Sequence, residues 1–129
     1  MRVLLITNFL ILFSYNSYAE WDHIYQDKKL DNWYVDRSKI IRINNHVFYK
    51  TLVNHDEKKK FQSTISENQG DCNTLEWKMT HISFFSKEMA KGYPKTSKTN
   101  HSFSKIEADS ILGYILNIIC KNSLKKNND

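Results

Sequence analysis

The sequence predicts an α+β fold, in which short strands joined by tight turns precede a single C-terminal helix. Apolar and polar residues alternate through the middle of the chain, which is typical of half-buried strands. Apolar residues recur at helical spacing near the C-terminus. Polar stretches that contain asparagine or glycine separate these segments and favour turns.

The first 19 residues have the composition of a secretory signal. Arg2 supplies positive charge, residues 3–13 form an apolar run, and Ser17 and Ala19 place small side chains just before Glu20. A permanent membrane helix is the alternative, but it needs about 20 apolar residues. We therefore expect residues 1–19 to be cleaved and the mature protein to be exported without a membrane span. Because glutamate follows the cleavage site where a lipoprotein needs cysteine, no lipid anchor is expected.

The mature chain is expected to form one domain over residues 20–121, with a polar tail at residues 122–129. The full chain carries a net charge of +5, and the mature part has two arginines, Arg37 and Arg42. Nucleic-acid binders usually show a dense, arginine-containing basic surface. No nucleic-acid partner is therefore predicted.

Cys72 and Cys120 are the two cysteines of the chain. In an exported protein a structural disulfide between them is the simplest interpretation. It would remove roughly 4 kcal/mol of chain entropy from the unfolded state. Their wide separation matches neither a CxxC redox motif nor a zinc site, and a free reactive thiol is the remaining alternative.

Strands are predicted first in the N-terminal half of the mature chain. Residues 33–35 are aromatic and β-branched, and residues 40–43 form a second short strand. Asn44 and Asn45 suit a tight turn. Residues 46–54 then form the second arm of a hairpin. Because this arm is apolar on both faces, we expect it to be a central strand.

Further strands are predicted between the two cysteines. Residues 61–67 are a candidate strand, and residues 68–71 have turn chemistry. Residues 75–80 alternate as a half-buried strand does. The apolar phase shifts by one residue before Ile82, which predicts a β-bulge or a strong twist near His81.

The predicted helix covers residues 109–121. Asp109 or Ser110 can cap its first turn. Its apolar residues fall on one face, and Cys120 lies at the edge of that face. A bond to Cys72 would hold this face against the sheet.

Residues 86–105 are rich in lysine and are predicted to form an exposed hairpin or loop, with Phe103 returning to the core. We interpret this segment as a protein-docking surface, because lysines can meet acidic groups and a tyrosine adds apolar contact. The alternative is a loop whose lysines serve only solubility. Solubility is also the expected role of the lysine run at residues 58–60. The predicted protein-binding residues are Lys87, Lys91, Tyr93, Lys95 and Lys98.

The sequence predicts no catalytic residue, metal site or cofactor. Its histidines lack metal-ligand spacing, and it contains neither a GxSxG motif nor a glycine-rich phosphate loop. A small secreted hydrolase is kept as an alternative. It would require the fold to gather histidine and acidic residues that are distant in sequence into one concave site.

A series of spaced single residues extends over about residues 20 to 120. It comprises Trp21, Trp33, Tyr34, Val35, Asp36, Ser38, Ile40, the strand 47–53, Glu67, Asp71, Cys72, Met89, Gly92, Phe103, Ser110 and Cys120. This pattern resembles the surface-adhesin protein E family of bacterial secreted and envelope proteins. The family often has tryptophan at the position of Phe103 and Pro-Gly at that of Ala108-Asp109.

The resemblance implies a small antiparallel β-sheet with a C-terminal α-helix packed on it, joined by a Cys72–Cys120 disulfide. It also implies an exported, non-enzymatic binding protein, since founding members bind host extracellular-matrix and serum proteins and can dimerise. Those adhesins carry a lipid anchor, which is not expected here. A periplasmic inhibitor or envelope-assembly factor is therefore the alternative function.

Overall fold

The computed structural model describes residues 19–56, 60–99 and 102–127. The predicted signal before Ala19 therefore lies outside the described residues, as do Lys58 and Lys59 of the lysine run. Within the described ranges, no helix combines the length and apolar character needed to cross a membrane.

Within the described ranges, eight strands form one antiparallel sheet, followed by a C-terminal helix. The strand order is β1-β2-β4-β5-β6-β7, with β3 also paired to β4 and β8 to β6. This arrangement confirms the predicted fold class. The strands are β1 (Trp21–Gln26), β2 (Asn32–Asp36), β3 (Ile41–Ile43), β4 (His46–Asn54), β5 (Ser63–Asp71), β6 (Glu76–Phe85), β7 (Pro94–Lys98) and β8 (Ser104–Lys105), and the helix is α1 (Ile111–Asn127).

The predicted hairpin and its central strand are confirmed. β4 spans residues 46–54 as predicted and pairs with β3 and β2 on one edge and with β5 on the other. Asn44, in the turn before it, has a positive φ of 55°. Asparagine tolerates this conformation better than most residues, which explains the turn.

The predicted turn at residues 68–71 is wrong. These residues continue β5 and pair with both β4 and β6, and the chain reverses after Asp71. The Asp71 carboxylate accepts hydrogen bonds from the backbone amides of Thr74 and Asn73. These two bonds, the one from Thr74 more strongly, hold the pKa of that carboxyl below its usual range. Gly70 is used for close packing, since a Cβ there would lie 2.4 Å from Leu116 Cδ1.

The predicted bulge in β6 is confirmed. Glu67 pairs with His81 and Asn68 pairs with Met79, so Thr80 is the extra residue. An extra residue reverses the alternation of a strand. Residues before and after Thr80 therefore turn their apolar side chains to the same face of the sheet.

Helix α1 packs on one face of the sheet, which we call the helix face. The core joins the helix to β2 and β4, and the disulfide links Cys120 of α1 to Cys72, with 5.7 Å between their Cα atoms. The predicted pairing is thus confirmed. The buried core residues are Val35, Val47, Tyr49, Ile115, Leu116 and Ile119.

Helix α1 is longer than predicted at its C-terminal end. Ser110 caps the first turn, because its Oγ accepts the Gly113 amide at 3.1 Å. The helix continues past the predicted end at Lys121 to Asn127. Arg42 stabilises this extension by donating from Nη1 to the Cys120 carbonyl at 3.1 Å and to Ser123 Oγ at 3.0 Å.

The opposite face of the sheet has its own partial cover. A turn at Glu88–Ala90 lies against β4 and β5, and Leu52 is fully buried. Phe103 was predicted to return to the core, and this prediction is wrong, because Phe103 is not part of the helix-face core. It is half-buried with its ring 5.9 Å from the His46 ring and 4.8 Å from Lys78 Nζ.

Candidate functional site

The predicted docking residues lie together on the turn at Glu88–Ala90 and the strand that follows it. All five are exposed, and Tyr93 is 87% exposed. We call this set the lysine surface: Lys87, Lys91, Tyr93, Lys95 and Lys98.

The turn that carries Lys87 and Lys91 is anchored to the sheet. Ser63, which is fully buried, donates to the Lys87 carbonyl at 2.5 Å and accepts the Ala90 amide at 3.0 Å. Asn54 accepts the Met89 amide at 2.8 Å. The backbone between Lys87 and Lys91 is therefore held against the sheet.

Strand β7 forms an edge of the sheet. It pairs with β6, and its outer edge meets no other strand in the described part of the chain. Lys95 pairs with Phe84 and Lys98 with His81, so the two lysines point to opposite faces. Every residue of β7 is exposed.

A groove lies on the helix face, beyond the area that α1 covers. Its volume is about 510 Å³, within the usual range for small-molecule sites. Its apolar lining comes from strands β2, β4 and β6, the loop before β5 and helix α1: Trp33, Val53, Phe61, Trp77, Met79, Ile82, Phe84 and Leu112.

The bulge at Thr80 builds one wall of this groove. Trp77 and Met79 precede it and Ile82 and Phe84 follow it, yet all four line the groove. The floor consists of buried polar residues of β4 and β5: Thr51, Thr64, Ser66 and Asn68.

One end of the groove carries a chain of hydrogen-bonding side chains. His55 Nε2 lies 2.9 Å from Thr64 Oγ1, and His55 Nδ1 lies 3.4 Å from Asp31 Oδ2. Asp31 Oδ1 accepts the Asp56 amide at 3.0 Å. The fold thus brings an acid, an imidazole and a hydroxyl from three separate segments into a concave site.

This arrangement has the residue types of a nucleophile, a base and an orienting acid. Catalysis of acyl transfer also needs amide donors free to hold an oxyanion. Thr64 lies in a central strand and pairs with Val53 on one side and Phe84 on the other. The amides around Thr64 are therefore engaged in the sheet.

Other histidines form separate pairs. His81 Nδ1 lies 2.9 Å from Glu67 Oε2, and His46 Nε2 lies 3.6 Å from Asp71 Oδ2. Among the residues that the structure places, no group of three or more histidine, cysteine or acidic side chains could hold a metal ion.

The groove was not predicted from the sequence, because its lining comes from positions spread between Asp31 and Leu112. One signal was available. The strands predicted to pack under the helix present more apolar side chains than one short helix can cover.

The sequence matches the family model of surface-adhesin protein E over residues 21–121. The search of curated proteins gave no match.

Crystal form II of Haemophilus influenzae protein E has a TM-score of 0.63 and 20% identity, over 78% of this chain and 87% of that one. Protein E from non-typeable Haemophilus influenzae has a TM-score of 0.65 and 18% identity, over 84% of this chain and 82% of that one. These structures share the fold, and the family match extends over most of the sequence. The chain therefore belongs to the surface-adhesin protein E family.

Proposed function

We propose that the chain is an exported, non-enzymatic binding protein that docks host matrix or serum proteins through the lysine surface. Membership of the family makes it an adhesin-like surface protein. The observation that carries the proposal is the free edge of β7, with exposed lysines and Tyr93 beside it.

An edge strand can accept a strand from a partner, with main-chain hydrogen bonds supplying affinity. Lysines along the edge favour an acidic partner segment. Lysine also protects edge strands from aggregation, which is the competing explanation for the same residues. The two explanations differ in whether the lysines contribute to binding.

Binding of the purified protein to immobilised matrix and serum proteins tests the proposal. Serine at Lys87, Lys91, Lys95 and Lys98 should weaken binding about fourfold or more, since four surface ion pairs at about 0.2–1 kcal/mol each sum to about 0.8–4 kcal/mol. A matched control places serine at four exposed lysines outside residues 86–105: Lys28, Lys29, Lys39 and Lys121. Equal binding by both variants would reject the lysine surface as the docking site.

The alternative is an inhibitor or assembly factor that docks envelope proteins. Fractionation of cells separates the two functions, because a strictly periplasmic pool cannot reach host proteins. Light scattering of the purified protein tests whether the chain also forms a homodimer, as the family resemblance implies.

A further inference from the structure

The open edge of β7 and the groove on the helix face adjoin each other. Lys95 and Ser97 of β7 pair with Phe84 and Ile82 of β6, and both of these β6 residues line the groove. Side chains that pair directly across two strands lie on the same face of a sheet. Lys95 and Ser97 therefore border the groove on the side of the open edge.

We propose that an extended acidic segment of the docked protein adds to β7 as an antiparallel strand and places one apolar side chain over Ser97 into the groove. This inference rests on the docking function proposed above and names the chemistry of the partner segment. In its own chain direction, the segment has an acidic residue, an apolar residue, any residue and a second acidic residue. The two acids lie opposite Lys98 and Lys95, and the apolar residue lies opposite Ser97.

The backbone groups of Thr96 and Lys98 point away from β6. The Thr99 amide donates to the Thr80 carbonyl at 3.0 Å, and bonded pairs alternate along an antiparallel ladder. In the β6–β7 register, this alternation directs the amides and carbonyls of Thr96 and Lys98 to the open edge. Phe85 fits the same alternation, because its carbonyl is bonded on the side of β5. None of the other described strands reaches the open edge, so both residues can bond an added strand.

The charges along β7 select an acidic strand. Lys95 lies on the groove face and Lys98 on the opposite face, so each face presents an ammonium group to the added strand. Glu88 is the one acidic residue of residues 86–105, which contain five lysines. A second copy of β7 would bring lysines together, which disfavours pairing between two copies of the chain through this edge.

The groove favours an apolar side chain opposite Ser97. Neighbouring strands lie about 4.8 Å apart, which places the added strand about 10 Å from β6. Because Ser97 is small and exposed, a phenylalanine of the added strand can reach over it to Ile82. In the same wall, Trp77 Nε1 donates to Asn68 Oδ1 at 3.1 Å. The Trp77 indole therefore presents ring surface to the groove, and a polar side chain there would lose its hydrogen bonds to water.

Two-dimensional NMR of the ¹⁵N-labelled protein tests the inference with the capped peptide Thr-Thr-Glu-Phe-Thr-Glu-Thr-Thr. Binding should be saturable and should shift the amide signals of Thr96, Lys98 and Ile82. Alanine in place of the phenylalanine should weaken binding about fivefold, because partial burial of the ring is lost. Glutamine in place of both glutamates should weaken it about twofold or more.

Variants of β7 test the added strand and the path into the groove. Thr96→Pro removes the outward amide and no bond to β6, a change that edge strands tolerate. It should weaken peptide binding at least about fivefold, because the added strand loses a hydrogen bond and meets the proline ring. Thr96→Ala loses the same 3.0 Å contact to Ser83 Oγ but keeps the amide, and should bind as the wild type does. Ser97→Gln fills the path to Ile82 and should remove the preference for phenylalanine over alanine.

N-methylated peptides test the strand without altering the protein. N-methylation of the threonine between phenylalanine and glutamate blocks an amide that faces β7 and should weaken binding as Thr96→Pro does. N-methylation of the phenylalanine, whose amide faces away from β7, should not. No saturable shift, equal binding by the two N-methylated peptides, or an unchanged phenylalanine preference in Ser97→Gln would each overturn the inference.

The docking function fails or stands by a separate measurement. If the lysine variant loses matrix or serum protein binding while Thr96→Pro binds these proteins as the wild type does, docking stands and strand addition is rejected. If the peptide binds as described but no matrix or serum protein does, the strand site stands and the proposed docking partners are rejected.

Discussion

Alanine at position 70 tests how closely α1 is seated on the sheet. The backbone of Gly70 does not have a positive φ, so alanine should restrict the unfolded chain and stabilise the protein by about 0.4–1 kcal/mol. The new Cβ would, however, lie 2.4 Å from Leu116 Cδ1, more than 1 Å closer than an optimal carbon contact. Leu116 and its neighbour Val47 are fully buried, so the clash cannot relax into solvent.

Overpacking of this kind costs about 1–3 kcal/mol. The net prediction for Gly70→Ala is a loss of about 1–2 kcal/mol in the free energy of unfolding, measured by urea titration. Leu116→Ala alone should cost about 2–5 kcal/mol. The double variant should be at least about 0.5 kcal/mol more stable than the sum predicts, because the alanine methyl fills part of the cavity. A neutral or stabilising Gly70→Ala, or strict additivity, would refute this packing.

Three further predictions concern the core and its covalent link. Replacing Cys72 and Cys120 by serine opens a link between residues 48 apart and should lower the free energy of unfolding by about 4 kcal/mol in urea titrations. Tyr49→Phe should stabilise the protein by about 1 kcal/mol, since the Tyr49 hydroxyl is buried without a hydrogen-bond partner among the described residues. Burial raises the pKa of that hydroxyl. The penalty for burying this hydroxyl is therefore constant below about pH 10 and grows above it, because tyrosine of the unfolded chain ionises first and favours unfolding. The advantage of Tyr49→Phe should therefore grow in alkaline denaturation. Asp36→Ala should lower thermal stability by about 1–3 kcal/mol, because the buried carboxylate accepts the Glu20 amide and two Ser38 donors.

The features that could be predicted from the sequence depend on residues close to one another in the chain or on a covalent bond. The bounds of β4 follow from its apolar run and the Asn44-Asn45 turn. The bulge at Thr80 follows from the slipped apolar phase, and the disulfide from the cysteine count in an exported chain. The signals for β4 and for the bulge lie within a few residues of those features, and the disulfide is a covalent bond between the two cysteines.

Other elements depend on tertiary contacts that a local pattern does not contain. Residues 68–71 have turn chemistry, yet pairing on both sides and the approach of Leu116 to Gly70 keep them in β5. The extension of α1 to Asn127 depends on Arg42, which is distant in sequence. For the same reason, the docking lysines could be proposed from composition, whereas the groove became visible only in the fold.

Binding of matrix and serum proteins by paired lysine variants tests the central claim most directly. Surface plasmon resonance would compare the wild type, the serine variant of the lysine surface and the control variant at Lys28, Lys29, Lys39 and Lys121, at low and at physiological salt. We predict that the surface variant alone loses about fourfold or more in affinity, and that this difference shrinks as salt rises. Equal affinity for all three proteins, or equal loss in both variants, would contradict it.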